Sequence, residues 1–172
     1  ALQAAYQLGT NVVVNRVGPI PEDTTDPAFG RLVESLTLIG ATGERVGARL
    51  AAQAGADGGA ELSTLLDALP AEAIGVDLHP ASLIVNGHDV AETIDQIGSS
   101  VVHVHACDAV RDFALGRSVE VELGRGTADL PEILGRLEEY NYQGWVTIER
   151  RDAADPVSDV ANAVAYLRAL GG

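Results

Sequence analysis

Four side chains with the chemistry of metal ligands or proton carriers recur along this sequence at regular distances. Gln53, His79 and His105 follow one another at intervals of 26 residues, and Glu149 comes 44 residues after His105. Two imidazoles, a carboxylate and an amide oxygen brought to one point could hold a divalent cation such as Mn²⁺, Zn²⁺, Mg²⁺ or Co²⁺, all of which accept nitrogen and oxygen donors. Glu149 is also a carboxylate able to take a proton from carbon and return it. Gln53 can orient a substrate or ligate a metal but cannot act as a base, because an amide exchanges no proton in the working pH range. Asp57, four residues beyond Gln53, is a second carboxylate that could stand in for it.

Around these four lie weaker candidates. Asn15 and Arg16 end an early apolar run, and Asn15 is taken as a substrate contact together with Asp108 and Arg111. Arg111, six residues past His105, could reach a substrate anion or pair with Asp108 or Asp112. His103 reads as a packed or capping histidine that faces away from His105, and His88 as a surface residue. Cys107 reads as a small, partly buried filler, and Trp145 as a packing residue beneath the sheet or against a helix. Gly124 to Asp129 reads as a glycine turn followed by a helix cap.

A 26-residue interval is about one strand, one helix and two loops, so the regular spacing implies strands that alternate with helices. The pattern of apolar residues gives the same rhythm. Strands are expected at 11–15, 46–54, 74–78, 101–105 and 145–148. Helices are expected over the first ten residues, at 26–39 with Gly40 as the stop, at 61–69, 90–97 and 130–140, and from Asp155 to Leu170 before Gly171 and Gly172. The stretch from Asp108 to Arg125 is read as an inserted polar loop. Strands regularly separated by helices pair in parallel through right-handed crossovers, which makes the class α/β. No GxGxxG fingerprint follows a clean strand, which argues against a dinucleotide-binding sheet. In parallel α/β folds the carboxyl ends of the strands carry the chemistry, and Gln53, His79, His105 and Glu149 all fall there.

At 172 residues the chain is about one domain on a prior of ~150 residues per domain. Its net charge of −14 would repel a phosphate backbone, which excludes nucleic acid as a partner. No apolar run approaches the ~18 residues of a membrane span, and no secretory leader pattern opens the chain. The single cysteine, Cys107, cannot form an internal disulfide. A cytoplasmic protein is expected, not at a membrane, with a homo-oligomer left open.

The motifs resemble the sugar phosphate isomerase/epimerase superfamily, whose members have a xylose isomerase-like barrel. The pieces are Ile74-Gly-Val-Asp-Leu-His-Pro80 with Asn86-Gly87, His103-Val-His-Ala-Cys-Asp108, Leu123-Gly-Arg-Gly126, and Tyr142-Gln-Gly-Trp-Val-Thr-Ile-Glu149. The resemblance implies a TIM (β/α)8 barrel of which residues 1–172 supply about strands four to eight, as the C-terminal part of a single domain. It implies a divalent metal held by Glu, Asp, His and Glu from the last four strands, and an isomerase or epimerase acting on a small sugar or sugar phosphate. Proton transfer next to the carbonyl would run through an enediolate. His105 matches the histidine ligand, Glu149 the final glutamate, and Arg111 a substrate-contacting arginine of some members. Two positions depart: Gln53 stands at the first glutamate and His79 at the aspartate, with Ser82 where a substrate-contacting histidine is common. Three carboxylates have become one. The alternative implied by those departures is a barrel that has lost its chemistry and serves as a sugar-binding or regulatory protein.

Overall fold

The computed structural model describes residues 1–112, 117–151 and 153–170. Its elements are α1 (Leu2–Gln7), β1 (Val12–Asn15), α2 (Pro27–Val46), β2 (Arg49–Gln53), α3 (Gly59–Ala68), β3 (Gly75–Leu78), α4 (Pro80–Asn86), α5 (Val90–Ile97), β4 (Val101–Ala106), β5 (Asp108–Asp112), β6 (Arg117–Val121), α6 (Leu130–Glu139), β7 (Trp145–Ile148) and α7 (Pro156–Leu170). β1, β2, β3, β4 and β7 form one parallel sheet in that order, and β5 and β6 pair as a separate antiparallel hairpin. Five parallel strands joined by helices are a half-barrel, as the alternating pattern implies.

Each strand divides its residues between two faces. Leu50, Ala52, Val76, Leu78, Val104 and Ala106 are buried in the main core. They pack with helical residues such as Leu62, Leu65, Leu83, Ile94, Ile133 and Leu137. The alternate positions Gln53, Asp77, His103, His105, Trp145 and Thr147 form the concave face. Side chains two residues apart on a strand share a face, and the register carries that parity from strand to strand: Gln53 lies opposite Asp77, Asp77 opposite His103, and His105 opposite Thr147.

Several local readings change. α2 runs through Gly40 to Gly47, where φ of +76° ends it in the left-handed conformation. Gly40 is there for close approach, since a Cβ would meet the Ala73 carbonyl oxygen at 2.6 Å. Pro80 does not merely close β3 but opens α4, at a first-turn position where its missing N–H costs nothing. The stretch from Asp108 to Arg125 holds the β5–β6 hairpin, not only loop. Trp145 is 77% exposed at the start of β7 rather than packed. The expected cap is present, with the Asp129 carboxylate accepting from the Glu132 N–H at 3.1 Å ahead of α6. The glycine pair expected to end α7 lies outside the described residues. Among the described residues no helix is long and apolar enough to cross a membrane.

Candidate active site

A chain of polar contacts crosses the C-terminal mouth of the sheet from β1 to β7. Arg16, one residue past β1, donates from Nε to Gln53 Oε1 at 3.2 Å. Gln53 Nε2 donates to Asp77 Oδ2 at 3.2 Å. Asp77 is completely buried and faces two imidazoles, with its Oδ1 at 2.7 Å from His103 Nδ1 and 2.9 Å from His105 Nδ1. His105 Nε2 lies 3.5 Å from Glu149 Oε2, and His79 Nε2 lies 3.3 Å from Glu149 Oε1. Arg151 closes the row with an ion pair to the same Glu149. The His79 and His105 rings stand 5.2 Å apart.

Gln53, His79, His105 and Glu149 therefore share one mouth, although not one layer. The equal spacing of 26 residues hides a stagger: the register sets Gln53 level with Asp77, while His79 and His105 stand two residues further toward the opening. Asp77 is the residue that the spacing argument missed. Its signal is a lone carboxylate inside the apolar run Ile74 to Leu78, two residues before His79 and so on the same face. His103 is a correction of the same kind, because positions 103 and 105 point together and both reach Asp77. The second nitrogen of His103 lies 2.9 Å from Thr147 Oγ1.

The candidate substrate contacts separate. Asn15 is paired with Ala52, on the helix-facing side, and its Oδ1 accepts from the Arg16 N–H at 2.9 Å. The residue that turns toward Gln53 is Arg16. Asp108 is completely buried and its carboxylate accepts four backbone N–H groups, from Ala109, Gly124, Gly126 and Ala128, at 2.7 to 3.1 Å. That is a scaffold role and leaves nothing to offer a substrate. Arg111 lies against Gly87 in a groove with Asp129 and Arg136, whose walls include none of Gln53, His79, His105 and Glu149. Asp57 holds the 53–57 loop by accepting from the Ile20 N–H at 2.9 Å.

The protonation states follow from these partners. Burial would raise the Asp77 carboxyl, but hydrogen bonds from His103, His105 and Gln53 hold it below the ordinary carboxylate value. Burial lowers His79 against the pull of Glu149, so this imidazole is neutral near pH 7. Its Nδ1 accepts from the Ser82 N–H at 3.1 Å as the cap of α4, which leaves the proton on Nε2, pointed at Glu149. Burial would lower His105 too, but Asp77 and Glu149 outweigh it and raise this histidine above its usual value. Glu149 is pulled below the usual range by Arg151 and His79 against the effect of its partial burial. Cys107 lies 3.3 Å from His79 Nδ1, and burial pushes its thiol up to about 12, which makes it a filler and not a nucleophile.

Asp77, His103 and His105 set three donor atoms within 4.8 Å of one another, a grouping able to hold a metal ion. The four ligand positions that the resemblance implies do not fit a divalent cation as they stand. His79 presents an N–H where the aspartate would present an oxygen, Gln53 turns its carbonyl oxygen to Arg16, and Arg151 occupies Glu149. Only His105 Nε2 remains oriented as a neutral ligand would be, with its other nitrogen on a carboxylate.

Over residues 1–170 the chain matches the family described as xylose isomerase-like TIM barrel. It is 26% identical to an uncharacterized protein of Methanocaldococcus jannaschii over 97% of this chain and 60% of the other. Among solved structures, a xylose isomerase domain protein from Planctomyces limnophilus superposes with a TM-score of 0.83 at 24% identity, over 96% of this chain and 60% of that one. A xylose isomerase-like TIM barrel protein from Mycobacterium smegmatis in complex with magnesium gives 0.76 at 18% identity, over 98% and 64%. D-psicose 3-epimerase from Clostridium cellulolyticum with D-tagatose also gives 0.76 at 18% identity, over 98% and 67%. The chain thus spans about 60% of the length of its curated relative and of the first of these structures.

Proposed function

The chain belongs to the xylose isomerase-like TIM barrel family, and from its site we propose that it carries the proton-transfer end of a sugar isomerase. The substrate would be a small sugar or sugar phosphate in its open carbonyl form. Glu149 removes the proton beside the carbonyl and returns it to the neighbouring carbon. His105, held by Asp77 at the other ring nitrogen, gives a proton to the carbonyl oxygen as the enediol forms and takes one back from the neighbouring hydroxyl as it collapses to the new carbonyl, so that both the carbon-bound and the oxygen-bound proton are accounted for. His79 fixes the carboxylate through its Nε2–H. The observation that carries this reading is the convergence of both imidazoles on one partly exposed carboxylate at the strand ends. Gln53, unable to exchange a proton, leaves one base on one face, which suffices for aldose–ketose interconversion but not for two-base inversion.

The test is proton exchange in deuterated water with the full-length protein and candidate ketoses. Deuterium is expected to enter the substrate, and Glu149→Gln is expected to cut the rate by about 10²–10⁴, the usual weight of a positioned acid or base. Epimerisation that survives Glu149→Gln would overturn the assignment. One observation favours a second reading, a sugar-binding protein without turnover: Arg151, His79 and His105 all engage Glu149 and reduce its basicity. Saturable binding of a ketose without exchange would support it.

A further inference from the structure

The charges at the mouth suit a ligand opposite in sign to the cation expected from the resemblance. In a chain of net charge −14 this mouth is not acidic. Its two carboxylates are already engaged, Asp77 by two imidazoles and an amide, and Glu149 by Arg151 and His79. Arg16 is bonded through Nε to an amide oxygen, and among the described residues no carboxylate forms an ion pair with it. A guanidinium has five N–H donors in a planar fork that matches the paired oxygens of carboxylate and phosphate groups. Gln53 accepts one of them, and it is oriented to do so because its NH₂ is spent on Asp77.

We propose that the mouth binds an oxyanion of the substrate, a phosphate or a carboxylate, on the fork of Arg16, in place of a divalent cation at Gln53, His79, His105 and Glu149. The inference rests on the site assigned above and names its ligand class: an acidic sugar whose anionic group lies toward β1 and whose carbonyl lies toward β4 and β7. Two strands stand between Arg16 and His105 in the sheet order. At about 4.8 Å per strand that is ~14 Å along a flat sheet, and less across a concave one. An extended sugar with its acidic group remote from the carbonyl suits that reach.

Isothermal titration of the full-length protein with inorganic phosphate, D-glucuronate, D-glucose and MnCl₂, each alone, tests the proposal. Phosphate or glucuronate is expected to bind saturably and more weakly as salt is raised, with glucose at least tenfold weaker; which anion binds identifies the acidic group. Arg16→Gln is expected to weaken anion binding at least tenfold, with Arg16→Lys recovering part of it and thermal melting confirming that both variants fold. Failure of both anions to bind, equal binding by Arg16→Gln, or anion binding that appears only after MnCl₂ is added would each overturn it. Glu149→Gln separates the two readings, because it cuts exchange by about 10²–10⁴ if the proton-transfer assignment holds and leaves anion binding in place if this one does.

Discussion

Asp77 and Asp108 are both completely buried, yet they are held by opposite kinds of partner. Among the described residues Asp108 accepts from backbone N–H groups alone, those of its neighbour Ala109 and of Gly124, Gly126 and Ala128. Those donors cannot titrate or change rotamer, so the carboxylate ties the hairpin strand β5 to the loop ahead of α6. Asp77 accepts from side chains that titrate or turn, two imidazoles and a carboxamide. The same functional group at the same burial is a rivet in one place and the centre of an adjustable network in the other. Buried charge by itself therefore does not mark a functional site; the chemistry of its partners does.

The sharpest way to break this contrast is to remove the rivet. Asp108→Ala leaves four backbone donors around the vacated position, and a buried donor without an acceptor costs ~1–3 kcal/mol. The summed loss is expected to reach or exceed ~4 kcal/mol, large for a single substitution. Urea denaturation measures it. A loss near ~1 kcal/mol would mean that water or loop movement replaces the carboxylate, and that Asp108 is no more a scaffold than Asp77.

Asp77→Asn comes next, and separates the two aspartates by what changes beside stability. Asparagine keeps an acceptor oxygen and most of the packing, so about 1–2 kcal/mol is expected, the loss of a charge-assisted hydrogen bond. The distinctive readout is His105. With the neighbouring charge removed, its pKa is expected to fall back toward or below the ordinary value near 6.5, as followed by NMR titration of the ring. A variant that melts earlier while His105 titrates unchanged would make Asp77 a second rivet.

How much of this could be read from the residues depends on which physical signal each feature leaves. The parallel strands are legible because burial on the helix side demands apolar residues, as at Val12 to Val14 and at Val101, Val102 and Val104. The clustering of Gln53, His79, His105 and Glu149 is legible because a repeated strand–helix unit returns to the same end of the sheet. Parity is where the reading fails. The apolar pattern points to Asn15 where Arg16 faces the mouth, and simple alternation sets His103 against His105 although side chains two apart share a face. The β5–β6 hairpin left only a polar stretch, since its central partner, Asp108, satisfies backbone donors 16 to 20 residues away that no local pattern announces. The helix α4 hid behind Pro80, whose role as a first-turn residue depends on His79 acting as the cap.

The smallest effect expected is on the dependence of stability on pH, and its sign separates His105 from the carboxylates beside it. His105 is raised in the folded protein, so its proton contributes stability below the unfolded value near 6.5, and that contribution fades as pH rises through the folded value. Asp77 and Glu149 are lowered, so they contribute above the ordinary carboxylate range and lose that contribution as pH falls through their folded values. His79 is lowered, so it adds a contribution that is lost as pH falls below the ordinary value near 6.5. Together these groups place a shallow maximum of stability near neutrality, with a decline on the alkaline side that belongs to His105 until the buried Cys107 thiol adds its own toward pH 9. Substituting Asp77 by Asn is expected to flatten that alkaline decline, because the charge that raises His105 is gone. Destabilising the protein to a similar extent elsewhere, with a modest core change such as Ile133→Val, should lower the whole curve and leave its shape intact. Urea midpoints between pH 5 and pH 9, in roughly half-unit steps, resolve the two patterns. An alkaline decline that persists unchanged in Asp77→Asn would show that the buried carboxylate does not set the proton affinity of His105, and the distinction between rivet and network would fail at its most sensitive point.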